Sequence, residues 1–197
     1  MWADDLVEVR IHGRGGQGAV LAATLAAEVA FQNGYYPQAF PFFGAERRGA
    51  PVAAFLRYSS SALMPRCRIS DPFCVVVFDA ALLPPETFLQ GLQTGGLLLL
   101  NAKEGTLPFG PEVSRDRKVY IVDAAHIAAE CGLIIAEAPL ISSVMLGALI
   151  RVLHLAPPEV FLEALQGKFP QLEKENLAGA RRGFLEVKEV FKDAIFQ

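Results

Sequence analysis

Two glycine-framed segments hold the residues of this 197-residue chain whose types and spacing could do chemistry. The first, Gly13-Arg14-Gly15-Gly16-Gln17-Gly18, follows a strand-like run and precedes an Ala-rich helical run. In that setting Gly13 permits a tight turn, Gly15 and Gly16 let a ligand or another backbone come close, and Gly18 allows tight helix-on-strand packing. The helix N-terminus behind it offers N–H groups to an anion. The bland alternative is a strand-to-helix turn that binds nothing. The second segment, Phe42 to Ala50, places Glu46, Arg47 and Arg48 between Gly44 and Gly49. Two adjacent guanidinium groups beside a carboxylate suit a phosphate clamp, ion pairs with a partner subunit, or a solvated turn with Glu46 paired locally.

Further polar candidates end apolar runs. Asp79, Asn101 and Asp123 stand at expected strand C-termini, the edge where open α/β sheets bind ligands. Asp79 and Asp123 also precede Ala-Ala pairs, so helix N-capping is the expected role of each. His12 lies beside the glycine loop, and His126 and His154 fall in expected helices. No His, Asp, Cys grouping indicates a nucleophile or a metal, and satisfied histidines are expected. Cys67, Cys74 and Cys131 are odd in number and lack CxxC spacing. They read as buried free thiols, neither a disulfide framework nor a cluster site.

The elements that must position these groups alternate between strand and helix. Leu6 to His12 reads as a strand. Gln17 to Gln32 reads as a helix stopped by Asn33-Gly34, with Thr24, Glu28 and Gln32 on one polar stripe. Tyr35 to Phe40 and Pro51 to Tyr58 are expected to pair as a hairpin around the Arg-rich turn. The continuous apolar runs Cys74 to Phe78, Leu97 to Leu100 and Val119 to Val122 suit strands covered on both faces. Helices are expected from Asp123, over Pro139 to His154, over Pro158 to Leu165, and over Glu173 to Phe191. The reading is one domain over residues 1–197, an α/β fold: a three-layer α/β/α sandwich with a largely parallel, mixed sheet and a Rossmann-like first strand-loop-helix.

Composition limits the function. Hydrophobic residues make up 52% of the chain and charged residues 20%, enough for a sizeable core and too apolar for a disordered chain. Eighteen basic against twenty-one acidic side chains leave a net charge of -3, which argues against binding of nucleic acid. The acidic start lacks a signal-peptide pattern, and Gly132 to Ile150 is interrupted by Glu137 and Pro139, so a cytoplasmic protein with no membrane association is expected. A nicotinamide-binding enzyme would place Asp or Glu about 20 residues beyond the loop. This chain has Pro37-Gln38-Ala39-Phe40 there, and Glu28, on the polar stripe, points away. A free-standing Rossmann-type nucleotide-binding oxidoreductase is therefore the second reading.

The first reading comes from a resemblance. The chain is similar to the gamma subunit, or gamma domain, of the 2-oxoacid:ferredoxin oxidoreductases, the group of pyruvate synthase, 2-oxoglutarate synthase and indolepyruvate oxidoreductase. Gly13 to Gly18, then Gly44, Glu46, Arg48 and Gly49, then Ile69-Ser70-Asp71 and Val75 to Asp79, match that family in order. Met145-Leu146-Gly147-Ala148, Lys168-Phe169, Glu175-Asn176 and Ala178-Gly179 complete the match. Ala50 stands where relatives often have glycine, and Ser142-Ser143 where they often have asparagine.

The resemblance implies a complex that decarboxylates a 2-oxoacid on thiamine diphosphate, passes electrons through iron-sulfur clusters to ferredoxin, and gives the acyl group to coenzyme A. This chain has no Gly-Asp-Gly segment and no cysteine set for a cluster. Thiamine diphosphate, Mg2+ and the clusters are then expected on alpha, beta and ferredoxin-like delta subunits. The gamma chain is expected to have no catalytic residue of its own, to support assembly and to help shape the coenzyme A entrance. Gly13, Arg14, Gly15, Gly16, Gln17, Gly18, Glu46, Arg47, Arg48 and Gly49 are its candidate cofactor-contacting residues.

Overall fold

The computed structural model describes residues 6–42, 51–62 and 67–190. Alternation of apolar and polar residues makes Leu6–Arg14 a strand, β1. It leads through the glycine loop into α1, Ala19–Gln32. Strands β2, Tyr36–Phe42, and β3, Pro51–Ser59, pair antiparallel, with Phe42 opposite Ala53. That is the expected hairpin, although Glu46, Arg47, Arg48 and Gly49 at its turn lie outside the described residues. Strand β4, Cys74–Val77, precedes the short helix α2, Pro85–Phe88. Then come β5, Leu97–Asn101, and β6, Lys118–Val122, followed by α3, Ala124–Glu130. A two-stranded ribbon, β7 at Ile134–Ile135 and β8 at Ala138–Pro139, leads into α4, Ser142–Val152. Helices α5, Pro158–Ala164, and α6, Glu173–Glu186, precede the last strand, β9, Lys188–Val190.

The main sheet runs β2-β3-β1-β4-β5-β6-β9. Its centre, β1-β4-β5-β6, is parallel, and each flank is antiparallel. Period-2 side-chain alternation gives each central strand two buried faces. Cys74, Val76, Leu97 and Leu99 pack into the larger core, which holds α1, α3, α4, α5 and α6. Val75, Val77, Leu98 and Leu100 enter a smaller core closed by Phe88, Leu92 and Val113. The fold is the expected α/β sandwich, with a thinner layer on the second face.

Several boundaries differ from the sequence reading. The final helix stops at Glu186, and Lys188–Val190 turns back against β6, with Val190 opposite Val119. The expected helix from Pro139 starts only at Ser142, because Ala138–Pro139 pairs with Ile134–Ile135 around Ala136 and Glu137, both at positive φ. His154 falls beyond the end of α4 with φ 51. Of the cysteines only Cys74 is buried; Cys67 is exposed and Cys131 half-buried.

Helices α4 and α6 cross at close range because both present glycine. A Cβ on Gly147 would collide with the Ala180 carbonyl, and one on Gly183 with the Val144 carbonyl. A Cβ on Gly179 would stand 2.8 Å from Leu133 Cδ1. Gly147 of the Met-Leu-Gly-Ala motif and Gly183 therefore let two backbones touch, while Gly179 of the Ala-Gly motif makes room for side chains.

Candidate functional site

The C-terminal ends of the parallel strands bring the first-segment candidates together. Gly16 and Gly18 have φ of 98 and 84, in the left-handed region that glycine tolerates. Gly16 faces open space, whereas a Cβ on Gly18 would lie 2.6 Å from Ser142 Cβ. The start of α1 thus rests against the start of α4, and Ser142 is small enough to allow it. Gly13 is buried, with Ala19 and Phe78 both 3.4 Å from where its Cβ would be. The loop is held by its own polar groups: the Arg14 N–H donates to Gln17 Oε1 at 2.7 Å, and the Gln17 N–H to the Arg14 carbonyl at 3.0 Å. Neither α1 nor α4 has a side-chain cap or an acidic residue in its first turn, so both present positive dipole ends at this edge.

Arg14 Nε meets Asp79 Oδ2 at 2.6 Å, across the ends of β1 and β4. Asp79 Oδ1 also accepts from the Ala81 N–H. It therefore closes a turn and pairs with Arg14, and does not cap a helix as expected, because the next helix begins only at Pro85. Asp123 does cap α3, accepting from the His126 N–H at 3.1 Å. Asn101 binds two elements at once, donating to the Phe78 carbonyl and accepting from the Ala124 N–H, each at 3.0 Å. These polar groups brace the strand ends. Glu28 lies away from the loop and pairs with Lys168 at 2.6 Å.

Behind the loop is a buried polar network on the second face of β1. His12 Nε2 accepts from Arg10 Nε at 3.0 Å, which leaves the imidazole proton on Nδ1. Burial, and then the Arg10 charge, hold the His12 pKa down at about 4. Arg10 also donates to the Phe88 carbonyl at 3.1 Å and to the Gln90 carbonyl. It ties α2 to the strand that carries the glycine loop. On β3, opposite Glu8, Arg57 is fully buried and donates to Glu8 Oε1 at 2.6 Å from one nitrogen and 3.0 Å from another, and to the Cys67 carbonyl at 3.0 Å. Sequence reasoning did not single out Glu8, Arg10 and Arg57. The signal was their period-2 alternation with Val7, Val9 and Ile11 in β1, and with Leu56 and Tyr58 in β3.

Among the described residues no group of three or more His, Cys, Asp or Glu is placed to hold a metal ion. Burial pushes the Cys74 thiol pKa up, so it is an inert core group. The arrangement at the glycine loop can receive an anion through backbone N–H groups and Arg14. It holds no nucleophile paired with a base.

Residues 8–186 match the family model described as pyruvate ferredoxin/flavodoxin oxidoreductase. The chain belongs to this family. Among curated relatives, pyruvate synthase subunit PorC of Methanothermobacter thermautotrophicus is 39% identical, over 94% of this chain and 98% of that one. The pyruvate/ketoisovalerate oxidoreductases common subunit gamma of Pyrococcus furiosus is 40% identical, over 95% and 100%. The crystal structure of pyruvate oxidoreductase subunit PORC from Thermotoga maritima superimposes with a TM-score of 0.77 at 36% identity, covering 95% of this chain and 100% of that one. The strand order departs from that of a dinucleotide-binding fold. In a dinucleotide-binding fold the strand after α1 runs parallel beside β1. Here the antiparallel β3 occupies that place and β2 is the outer edge, so the strand after α1 brings no acidic end to the loop. No helix among the described residues is long and apolar enough to cross a membrane.

Proposed function

We propose that this chain is the gamma subunit of a 2-oxoacid:ferredoxin oxidoreductase, which oxidatively decarboxylates a 2-oxoacid to acyl-CoA and CO2 and passes the electrons to ferredoxin. The observation that carries the proposal is similarity along the whole chain to subunits named for that reaction. Thiamine diphosphate, Mg2+ and iron-sulfur clusters reside on alpha, beta and delta-type partners and supply the carbanion and electron-transfer chemistry. The described residues of this chain bind, orient and shield. Gly16 leaves the loop open to a ligand, the uncapped start of α1 presents N–H groups, and Arg14 adds a guanidinium that can turn from Asp79 to a phosphate. The loop from Gly13 to Gly18 thereby forms one wall of the coenzyme A entrance, and Glu46, Arg47, Arg48 and Gly49 complete it or contact a partner. The Pyrococcus furiosus relative is named as common to pyruvate and ketoisovalerate oxidoreductases, which supports placing the oxoacid side-chain pocket outside the gamma subunit.

Anaerobic pull-down of the tagged chain from its native cells, with mass spectrometry, is expected to recover a thiamine-binding subunit and a ferredoxin-like subunit. Recovery of the chain alone would overturn the assignment. In the isolated complex, Arg14→Ala is expected to raise KM for coenzyme A roughly tenfold, the loss of one charge-assisted contact, and to leave KM for the oxoacid unchanged. An equal rise in both constants would refute the entrance role.

A further inference from the structure

Arg14 is the exposed cation of the glycine loop, and the way Asp79 holds it sets what it can reach. The carboxylate is fixed independently of the arginine. Phe78, one residue earlier, donates its N–H to the His12 carbonyl at 2.8 Å and accepts from Asn101 at 3.0 Å, so the chain entering Asp79 is tied to both β1 and β5. Asp79 Oδ1 accepts from the Ala81 N–H at 3.0 Å, and the Asp79 carbonyl accepts from the Leu82 N–H at 3.2 Å. This turn leaves Oδ2 for Arg14. The contact is made at Nε, 2.6 Å away, and neither terminal nitrogen of Arg14 has an acceptor among the described residues. The buried pair on the same sheet is different: Glu8 takes Arg57 at Nε and at a terminal nitrogen together. A guanidinium carries five donors in a rigid plane, four of them on the terminal nitrogens. The Arg57 pair spends that fork inside the fold, whereas the Arg14 pair keeps it whole, on a side chain 43% exposed.

We infer that Asp79 is a positioning residue for Arg14: it holds Nε so that the two terminal nitrogens are presented, already ordered, to a phosphate group of coenzyme A. This rests on the reading of the glycine loop as a wall of the coenzyme A entrance. Arg14 need not leave Asp79 to engage the ligand, because phosphate is taken in a bidentate manner by the terminal nitrogens and the carboxylate occupies the remaining donor. An exposed arginine without such a partner would lose its rotamer freedom at the moment of binding, and Asp79 removes that cost beforehand.

The test compares Asp79→Asn, Arg14→Ala and the double variant in the isolated complex, with KM for coenzyme A and KM for the oxoacid measured in each. Asparagine keeps the turn, since its side-chain oxygen still accepts from the Ala81 N–H, but it sets an amide N–H against Arg14 Nε where a carboxylate oxygen stood. By charge alone the substitution favours an anionic ligand, because it takes a negative charge from beside the binding cation. Positioning has the opposite sign. Asp79→Asn is expected to raise KM for coenzyme A roughly fivefold, the cost of ordering one long side chain, to leave KM for the oxoacid unchanged, and to add nothing in the Arg14→Ala background. A KM for coenzyme A that stays the same or falls in Asp79→Asn, an equal rise in both constants, or a further rise in the double variant would overturn the positioning role while Arg14→Ala still reports on the entrance. If Arg14→Ala itself leaves KM for coenzyme A unchanged, the entrance reading and this role fall together. Asp79→Ser, which can close the same turn but is one atom too short to hold Nε, decides the question if Asp79→Asn does not assemble.

Discussion

Removing the carboxylate from Glu8 takes a charged partner from a buried guanidinium, and the effect follows from the structure. Arg57 is fully buried, whereas the Glu8 side chain keeps 20% of its exposure. Two nitrogens of Arg57 converge on one Glu8 oxygen at 2.6 and 3.0 Å. In Glu8→Gln the amide oxygen still accepts, but the compensating charge is gone. Breaking a buried ion pair by removing one partner costs about 3–5 kcal/mol. The partial exposure of Glu8 and the bonds that Arg57 keeps, one of them to the Cys67 carbonyl, place the expected loss near the lower end, about 3 kcal/mol. With a urea slope of about 2 kcal/mol/M for a chain of this size, the midpoint falls by about 1.5 M. Replacing both partners with apolar residues, Glu8→Leu with Arg57→Leu, is expected to be less damaging than Glu8→Gln alone, since no unpaired charge remains. Urea unfolding followed by far-UV circular dichroism measures all three proteins. A Glu8→Gln midpoint within about 0.25 M of the parent, or a double variant weaker than the single, would refute the reasoning.

Two other outcomes follow from geometry and protonation. Ala normally stabilises a helix by about 1 kcal/mol relative to Gly, but Gly147→Ala forces α4 off α6 and is expected to lose about 2–3 kcal/mol, as overpacking does; denaturation midpoints check the sign, and a gain in stability would contradict the close crossing. His12, with a pKa of about 4 in the fold against 6.5 unfolded, stays neutral while the unfolded chain takes up a proton. Stability from this group is then constant above about pH 6.5 and falls toward pH 4, by about 2 kcal/mol between pH 7.5 and 5. His12→Gln is expected to remove that slope from urea-unfolding curves measured across the range, and an identical slope in the variant would show that His12 is not the group responsible.

How legible each part was depends on what covers it. The runs Val75 to Val77 and Leu97 to Leu100 are apolar at every position because both sheet faces are buried, so they read directly as central strands. Lys188-Glu189-Val190 has the composition of a helix end, and only pairing with β6 makes it a strand. The β7–β8 ribbon was missed because its turn uses Ala136 and Glu137 at positive φ, where a readable hairpin would show glycine or asparagine. At the glycine loop, the left-handed glycines were legible from type and spacing. The Arg14–Asp79 pair was not, since the two residues meet only through the β1–β4 pairing. The polar face of β1 reads as solvated by alternation alone, yet α2 and the segment around Cys67 and Ser70 cover it.

The two outer strands give the sheet a finite width with consequences for the chain before assembly. At one margin β2 carries Pro37 and Pro41, which remove N–H donors and are tolerated in an edge strand where the missing donor would face outward. At the other, β9 is three residues long and begins Lys188-Glu189. Short, charged or proline-bearing margins resist templating by a neighbouring backbone. Among the described residues, these two margins therefore disfavour recruitment of the unassembled chain into intermolecular β-sheet.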